Sequence, residues 1–104
     1  MNTLTLLVTY KTKPGMAMTF VDAVTDAGLL DTIRAEDGCL RYDYYYPATP
    51  SNEVLLVEAW ESADQQAIHL KQPHMQQVAA IKAVYITEHA CIRSEIAGAT
   101  LFLW

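Results

Sequence analysis

Basic residues, cysteines and long apolar runs are all scarce in this sequence of 104 residues, and each shortage removes a class of function. Seven Lys and Arg stand against twelve Asp and Glu, for a net charge of -5, and the few cations are scattered. No basic stripe exists along which a phosphate backbone could lie, so nucleic acid is not an expected partner. Cys39 and Cys91 are isolated, without CxxC or CxxH spacing, and read as two small buried apolar residues, neither a disulfide nor a nucleophile. No apolar run approaches the length that spans a bilayer, and Met1-Asn-Thr-Leu-Thr-Leu-Leu-Val8 has neither the basic region nor the long apolar stretch of a secretory leader. A cytoplasmic protein without membrane association is expected. GxGxxG, Walker and GxSxG motifs are missing too, as is metal-type Cys and His spacing, so no motif indicates flavin, nucleotide, haem or metal.

What the chain has instead is apolar surface. It is 52% hydrophobic and only 18% charged, in a length that allows one domain, 1–104. That excess predicts that a second copy covers part of it.

Leu4, Leu6, Val8 and Tyr10 alternate with mostly Thr, which predicts a first strand over 3–11, closed by Pro14-Gly15. Phe20, Val24, Ala27 and Leu30 keep helical spacing over 16–34, although Gly28 weakens the end, and Asp37-Gly38 closes the segment. A tyrosine-rich strand over 39–46, the loop Pro47-Ala-Thr-Pro50-Ser-Asn52 and a third strand over 53–61 follow. Ser62 suits the N-cap of a helix over 63–71, and Pro73 the first turn of another over 74–83. A fourth strand over 84–96 precedes an apolar tail, Leu101 to Trp104.

The order β-α-β-β-α-β is the ferredoxin-like α+β arrangement, a four-stranded antiparallel sheet with its helices on one face. In the third strand Val54, Leu56, Glu58 and Trp60 point one way and Leu55, Val57 and Ala59 the other, so both faces are largely apolar. Helices cover only one of them. A homodimer packed sheet to sheet is therefore expected, with the tail from Leu101 to Trp104 reaching across to the partner.

The chemically distinctive residues gather in Glu58-Ala-Trp60-Glu-Ser and His69-Leu-Lys-Gln-Pro73-His74-Met75. Glu58 is either a carboxylate carried into an apolar layer, where it needs a partner, or an exposed strand-end residue. An imidazole from the following helix is the nearest partner; a carboxylate accepting from one ring nitrogen would leave the other free as a base. His74 falls at a helix amino terminus, whose dipole favours an uncharged ring able to accept a proton, or is a solvated cap. Pro73 makes the relative direction of His69 and His74 unreadable. Two His and a Glu could also make a facial metal triad, but the spacing fits no familiar motif and no metal is expected. Alternation sends Tyr42, Tyr44 and Tyr46 to one face, where with Trp60 they line either a pocket for a planar ring or a dimer seam.

Glu36-Asp37-Gly38-Cys39-Leu40-Arg41-Tyr42, Glu58-Ala-Trp60-Glu-Ser and His69-Leu-Lys-Gln-Pro73-His74-Met75, in that order and spacing, resemble the antibiotic biosynthesis monooxygenase family, most closely its small quinol monooxygenase branch. The resemblance runs from Lys13-Pro14-Gly15 in the first part of the chain to the fourth strand. It implies a dimeric ferredoxin-like barrel and oxygenation of a quinol or polyketide-like phenol by dioxygen, with no cofactor. On that pattern His74 or His69 deprotonates the phenol, Glu58 orients the base, and Trp60 with Tyr42 or Tyr44 positions the ring. Haem-degrading relatives carry an Asn in the first strand and a ligand His on the last helix; Val8, Thr9, Ala79 and Ala80 here disfavour that activity. Another branch isomerises a phosphorylated signalling sugar derivative, which would need a cation such as Arg41 or Lys71. A binding protein without turnover is the third alternative.

Overall fold

The structure, a computed structural model, describes residues 2–97, with side chains to Glu95; the tail 101–104 lies outside them. Its elements are β1 (Asn2–Thr12), α1 (Ala17–Asp26), α2 (Leu29–Arg34), β2 (Cys39–Tyr45), β3 (Glu53–Trp60), α3 (Ala63–Leu70), α4 (His74–Tyr85) and β4 (Ile86–Ala97). The strands lie in the order β2-β3-β1-β4, every neighbour antiparallel, with four helices in place of two. This is the ferredoxin-like α+β fold, each of its two helical crossovers broken in the middle.

The first break corrects the single helix expected over 16–34. Gly28 takes φ 75°, a left-handed conformation that ends α1 and restarts the chain as α2; glycine adopts it without the Cβ penalty. The second break is at Pro73, which has no N–H to continue α3 and stands at the N-cap of α4. Ser62 caps α3 as expected, its hydroxyl accepting from the Gln65 N–H at 3.3 Å. Helix α4 runs to Tyr85, past the expected start of the last strand at 84, because the Lys13 N–H meets the Tyr85 carbonyl at 2.9 Å. That tertiary bond satisfies a helix-end carbonyl and overrides the β propensity of Val84 and Tyr85.

Leu4, Leu6, Val8 and Tyr10 of β1 and Val54, Leu56, Glu58 and Trp60 of β3 face the helices and are buried with Phe20, Val24, Ile33 and Val78. Each large apolar side chain so enclosed contributes about 1.5–3 kcal/mol at most. Strand β2 needs a local irregularity to join them. Cys39 pairs with Trp60 and Tyr42 with Glu58, so three steps in β2 match two in β3. This bulge re-phases the strand and turns Tyr42 and Tyr44 toward the helices. The other sheet face carries the row Val57, Leu7 and Ile92, with Leu7 and Ile92 37% and 66% exposed. Both cysteines are free and neither is fully buried: Cys39 is half-buried and Cys91 exposed, against the expectation of two buried apolar residues. Cys91 lies on the edge strand β4, which has only one neighbour.

Candidate active site

Two chain breaks bring the titratable groups together. After α2, the Glu36 N–H donates to the Ile33 carbonyl and the Cys39 N–H to the Glu36 carbonyl, a tight turn completed by Gly38 at φ 81°. A Cβ at Gly38 would displace the end of the flexible Gln65 side chain, and the left-handed backbone there is what favours glycine. His69 closes α3, and the change of direction at Pro73 swings His74, at the start of α4, back toward the same turn.

The result is a clasp. One Glu36 carboxylate oxygen, Oε2, lies 2.8 Å from His69 Nδ1 and 2.9 Å from His74 Nε2. With both rings uncharged, each donates its N–H to that oxygen, which leaves His69 Nε2 and His74 Nδ1 as the basic nitrogens. The His69 side chain is 1% exposed and that of His74 17%.

Glu58 is buried in the apolar layer, not frayed at the strand end, but the carboxylate holding the imidazoles is Glu36. The expected pairing of Glu58 with an imidazole is corrected. Glu58 and Trp60 share a face of β3, and the indole Nε1–H donates to Glu58 Oε1 at 2.9 Å. Burial raises the Glu58 pKa, while the Trp60 hydrogen bond and the charges of His69 and Lys82 pull the other way.

Aromatic rings wall this polar line. His69 lies against Trp60 with ring centroids 4.5 Å apart and meets the edge of Tyr42 at 5.8 Å. Tyr42 is 6.0 Å from Tyr44, Tyr44 5.8 Å from Phe20, and Phe20 5.6 Å from Tyr10. Tyr42 and Tyr44 therefore line the sheet–helix seam and not the outer face. Burial raises the pKa of Tyr10, Tyr42 and Tyr44, so all three are neutral hydroxyls at physiological pH. Tyr46 lies beyond the end of β2 and is exposed, and Tyr45 sits beside Arg41 on the other side. Burial also pushes the Cys39 thiol up to about 11, which leaves little thiolate for nucleophilic work.

All six expected residues, His69, His74, Glu58, Trp60, Tyr42 and Tyr44, thus belong to one connected cluster. Four others were not assigned a role from sequence. Glu36 stands in the quoted motif, but nothing local shows that its side chain bridges residues 33 and 38 positions away. Tyr10, Lys82 and His89 come from three different elements and meet around a cavity of about 330 Å³ between α4 and β4. Lys82 occupies the same ridge of α4 as His74, at i+8 through the buried Val78, so the two lie about 12 Å apart along the helix. Of the cations expected to serve a phosphate, Arg41 is bound to Asp43 and Tyr45, and Lys71 is exposed.

The metal-ligating atoms of Glu36, His69 and His74 all lie within 4.8 Å of one another. Two imidazole nitrogens and a carboxylate oxygen are donors that zinc or ferrous iron accepts. Here they already satisfy one another by hydrogen bonds, so an ion would have to replace both N–H protons.

Among the described residues no helix is long and apolar enough to cross a membrane. Comparison with curated protein sequences gives no match. Solved structures share the fold at low identity. Protein PA3566 of Pseudomonas aeruginosa is 21% identical with a TM-score of 0.80, over 94% of this chain and 97% of its own. Rv0793 of Mycobacterium tuberculosis is 24% identical with a TM-score of 0.76, over 94% and 98%. A Nitrosomonas europaea protein provisionally assigned as an antibiotic biosynthesis monooxygenase is 18% identical with a TM-score of 0.78, over 94% and 91%. The decisive match is of another kind: the family model for antibiotic biosynthesis monooxygenases matches residues 3–81, from β1 into α4 and including every residue of the clasp, so the chain belongs to that family.

Proposed function

We propose that the protein is a cofactor-independent monooxygenase that oxidises a quinol or polyketide-like phenol with dioxygen, of the quinol monooxygenase kind, and that it works as a cytoplasmic homodimer. The observation that carries this reading is a line of proton acceptors, Glu58, His69, Glu36 and His74, enclosed by the rings of Trp60, Tyr42 and Tyr44. Such a line can take the proton of a phenol seated in the cavity that Tyr10 and Lys82 line, and the substrate supplies the rest. In an anthrone-type phenol the reacting CH₂ loses two hydrogens and gains one oxygen atom as C=O, and the other oxygen atom leaves as water. The carbon gives up four electrons and dioxygen accepts four, so the substrate is its own reductant.

The phenol proton passes into this line, where Glu58 is the member coupled to the cavity residues Tyr10 and Lys82. Its raised pKa moves it toward the range in which a carboxylate is basic enough to accept from a phenol. His69 and His74, oriented by Glu36, keep Nε2 and Nδ1 as further proton acceptors, and the buried rings around His69 exclude water. The exposed row around Leu7 and Ile92 is the surface on which the second copy packs.

Oxygen consumption by the purified, metal-stripped protein with reduced naphthoquinones and anthrone-like phenols tests the reading. Uptake above autoxidation is expected, lost in His74→Ala and reduced at least ~100-fold in Glu58→Gln. No uptake across the panel would sink the monooxygenase reading, and an undiminished rate in His74→Ala would remove that residue from the mechanism.

A further inference from the structure

The cavity between α4 and β4 contains a cation that, among the described residues, has no carboxylate within 4.0 Å. Four of the other basic side chains find carboxylates, Lys11 with Glu88 at 3.7 Å, Arg34 with Asp43 at 2.8 Å, Arg41 with Asp43 at 3.0 Å and Arg93 with Glu95 at 2.8 Å, while Lys13 and Lys71 are exposed to water. Lys82 is half-buried and, among the described residues, makes no hydrogen bond and no ion pair within 4.0 Å. Its ammonium lies 5.2 Å from the centre of the Tyr10 ring. A ring face attracts an ammonium but accepts no full hydrogen bond, so the donors of Lys82 are left for something else. Burial accordingly lowers the Lys82 pKa, against the pull of Glu58.

The space beside that ammonium is an open pocket between α4 and β4. On the helix side Ala79 and Ala83, one turn apart, are the smallest side chains that α4 could offer. On the strand side lie the rings of Tyr10, almost wholly buried, and His89, exposed, with centroids 6.5 Å apart and planes tilted by 50°. At about 330 Å³ the cavity lies at the small end of the range for organic ligands.

We propose that this cavity binds a planar aromatic anion, such as a phenolate, and that Lys82 is the residue that holds its ionised oxygen. The assignment rests on the proposed function only in making this ligand the substrate; binding is a property of the cavity whatever reaction follows. Two acidic groups bear on it. Glu88 stands at the rim with its carboxylate drawn to Lys11, exposed and screened. Glu58 is not in contact with Lys82, already accepts from Trp60, and is pushed toward its neutral form by burial, so neutralising Glu58 does not account for Lys82. The two rings and the alanines favour an aromatic ligand over a bare phosphate, which would want several donors and no flat walls.

Isothermal titration of the purified protein with hydroxynaphthoquinone, ionised at neutral pH, and with naphthoquinone, its uncharged parent, tests the assignment without any turnover. Wild-type protein should bind the anion about tenfold or more tightly than the parent, since a hydrogen bond to a charged group is worth that much. Lys82→Met should lose the preference while keeping the affinity for the parent, Lys82→Arg should restore much of it, and Lys71→Met, at an exposed position, should change nothing. Thermal melts of each variant report whether it is folded. An unchanged preference in Lys82→Met overturns the assignment, as does failure of wild type to bind either ring, or binding of inorganic phosphate in place of both. If oxygen uptake fails while the anion preference holds, the reaction is wrong and the binding site stands; the reverse outcome leaves the reaction and removes Lys82.

Discussion

The two ends of the seam between sheet and helices treat polar groups in opposite ways. At the clasp, a part-buried carboxylate oxygen meets two imidazoles at 2.8 and 2.9 Å, and beside it a buried indole N–H meets a second carboxylate at 2.9 Å. At the cavity, a half-buried ammonium faces a ring and open space. Burying a polar group without a partner costs stability, a cost that the imidazoles and the indole avoid and that the Tyr44 hydroxyl and Lys82 do not. The difference teaches that the clasp is pre-organised by the protein's own hydrogen bonds, whereas the donors of Lys82 stay open to a ligand. Glu58 links the two, sensing His69 on one side and Lys82 on the other.

The largest expected effect comes from breaking the clasp. Glu36→Ala leaves the N–H groups of two imidazoles without their acceptor, one of them in the core, and should destabilise the protein by about 3 kcal/mol in denaturant titration. Glu36→Gln, which keeps an acceptor oxygen, should cost less. Equal losses would mean that the oxygen is not what the imidazoles need.

Trp60→Phe comes next, keeping a ring against His69 but removing the donor to Glu58. A loss of about 1–2 kcal/mol is expected from the missing hydrogen bond and the smaller ring, with a further rise in the Glu58 pKa. If carboxyl titration followed by NMR shows Glu58 unmoved, the indole is not the group that restrains it.

Glu58→Gln sharpens the comparison through pH. The folded protein holds the Glu58 proton more tightly than the unfolded chain, because burial raises the pKa above the ordinary 4.5. Between those two pKa values the native state binds more protons, so this residue subtracts stability as pH rises through the window. The variant should therefore gain on wild type from pH 4.5 upward and lose the advantage below it. An advantage that grows in acid would reverse the sign of the argument.

The smallest effect is expected from chelation. Because the clasp is satisfied without an ion, stripping metals should leave melting temperature and oxygen uptake unchanged; a stoichiometric zinc requirement would turn the clasp into a metal centre. Light scattering at micromolar concentration tests the outer face, where a dimer is expected and a monomer would refute it.

Much of this was legible in the amino-acid sequence because it is local. Strand alternation placed Glu58 and Trp60 on one face, and Ser62 and Pro73 marked helix starts, since each acts through its own backbone. Gly28 showed as a weakness, but its left-handed break did not, because the same residue can sit inside a helix at modest cost. The β2 bulge was invisible as well: it is a mismatch between two strands and belongs to neither sequence alone.

The sequence by itself determined the β-α-β-β-α-β order, the ferredoxin-like class and the identity of six residues that fall into one cluster. Only the tertiary structure decided who partners whom. It assigned the imidazoles to Glu36 instead of Glu58, sent the tyrosines to the seam, and left Lys82 facing an open cavity. The physical reason is range. Propensity and periodicity act over a few residues, whereas a hydrogen bond between positions 36 and 69, or a pocket between α4 and β4, exists only after the sheet has set the distance between them.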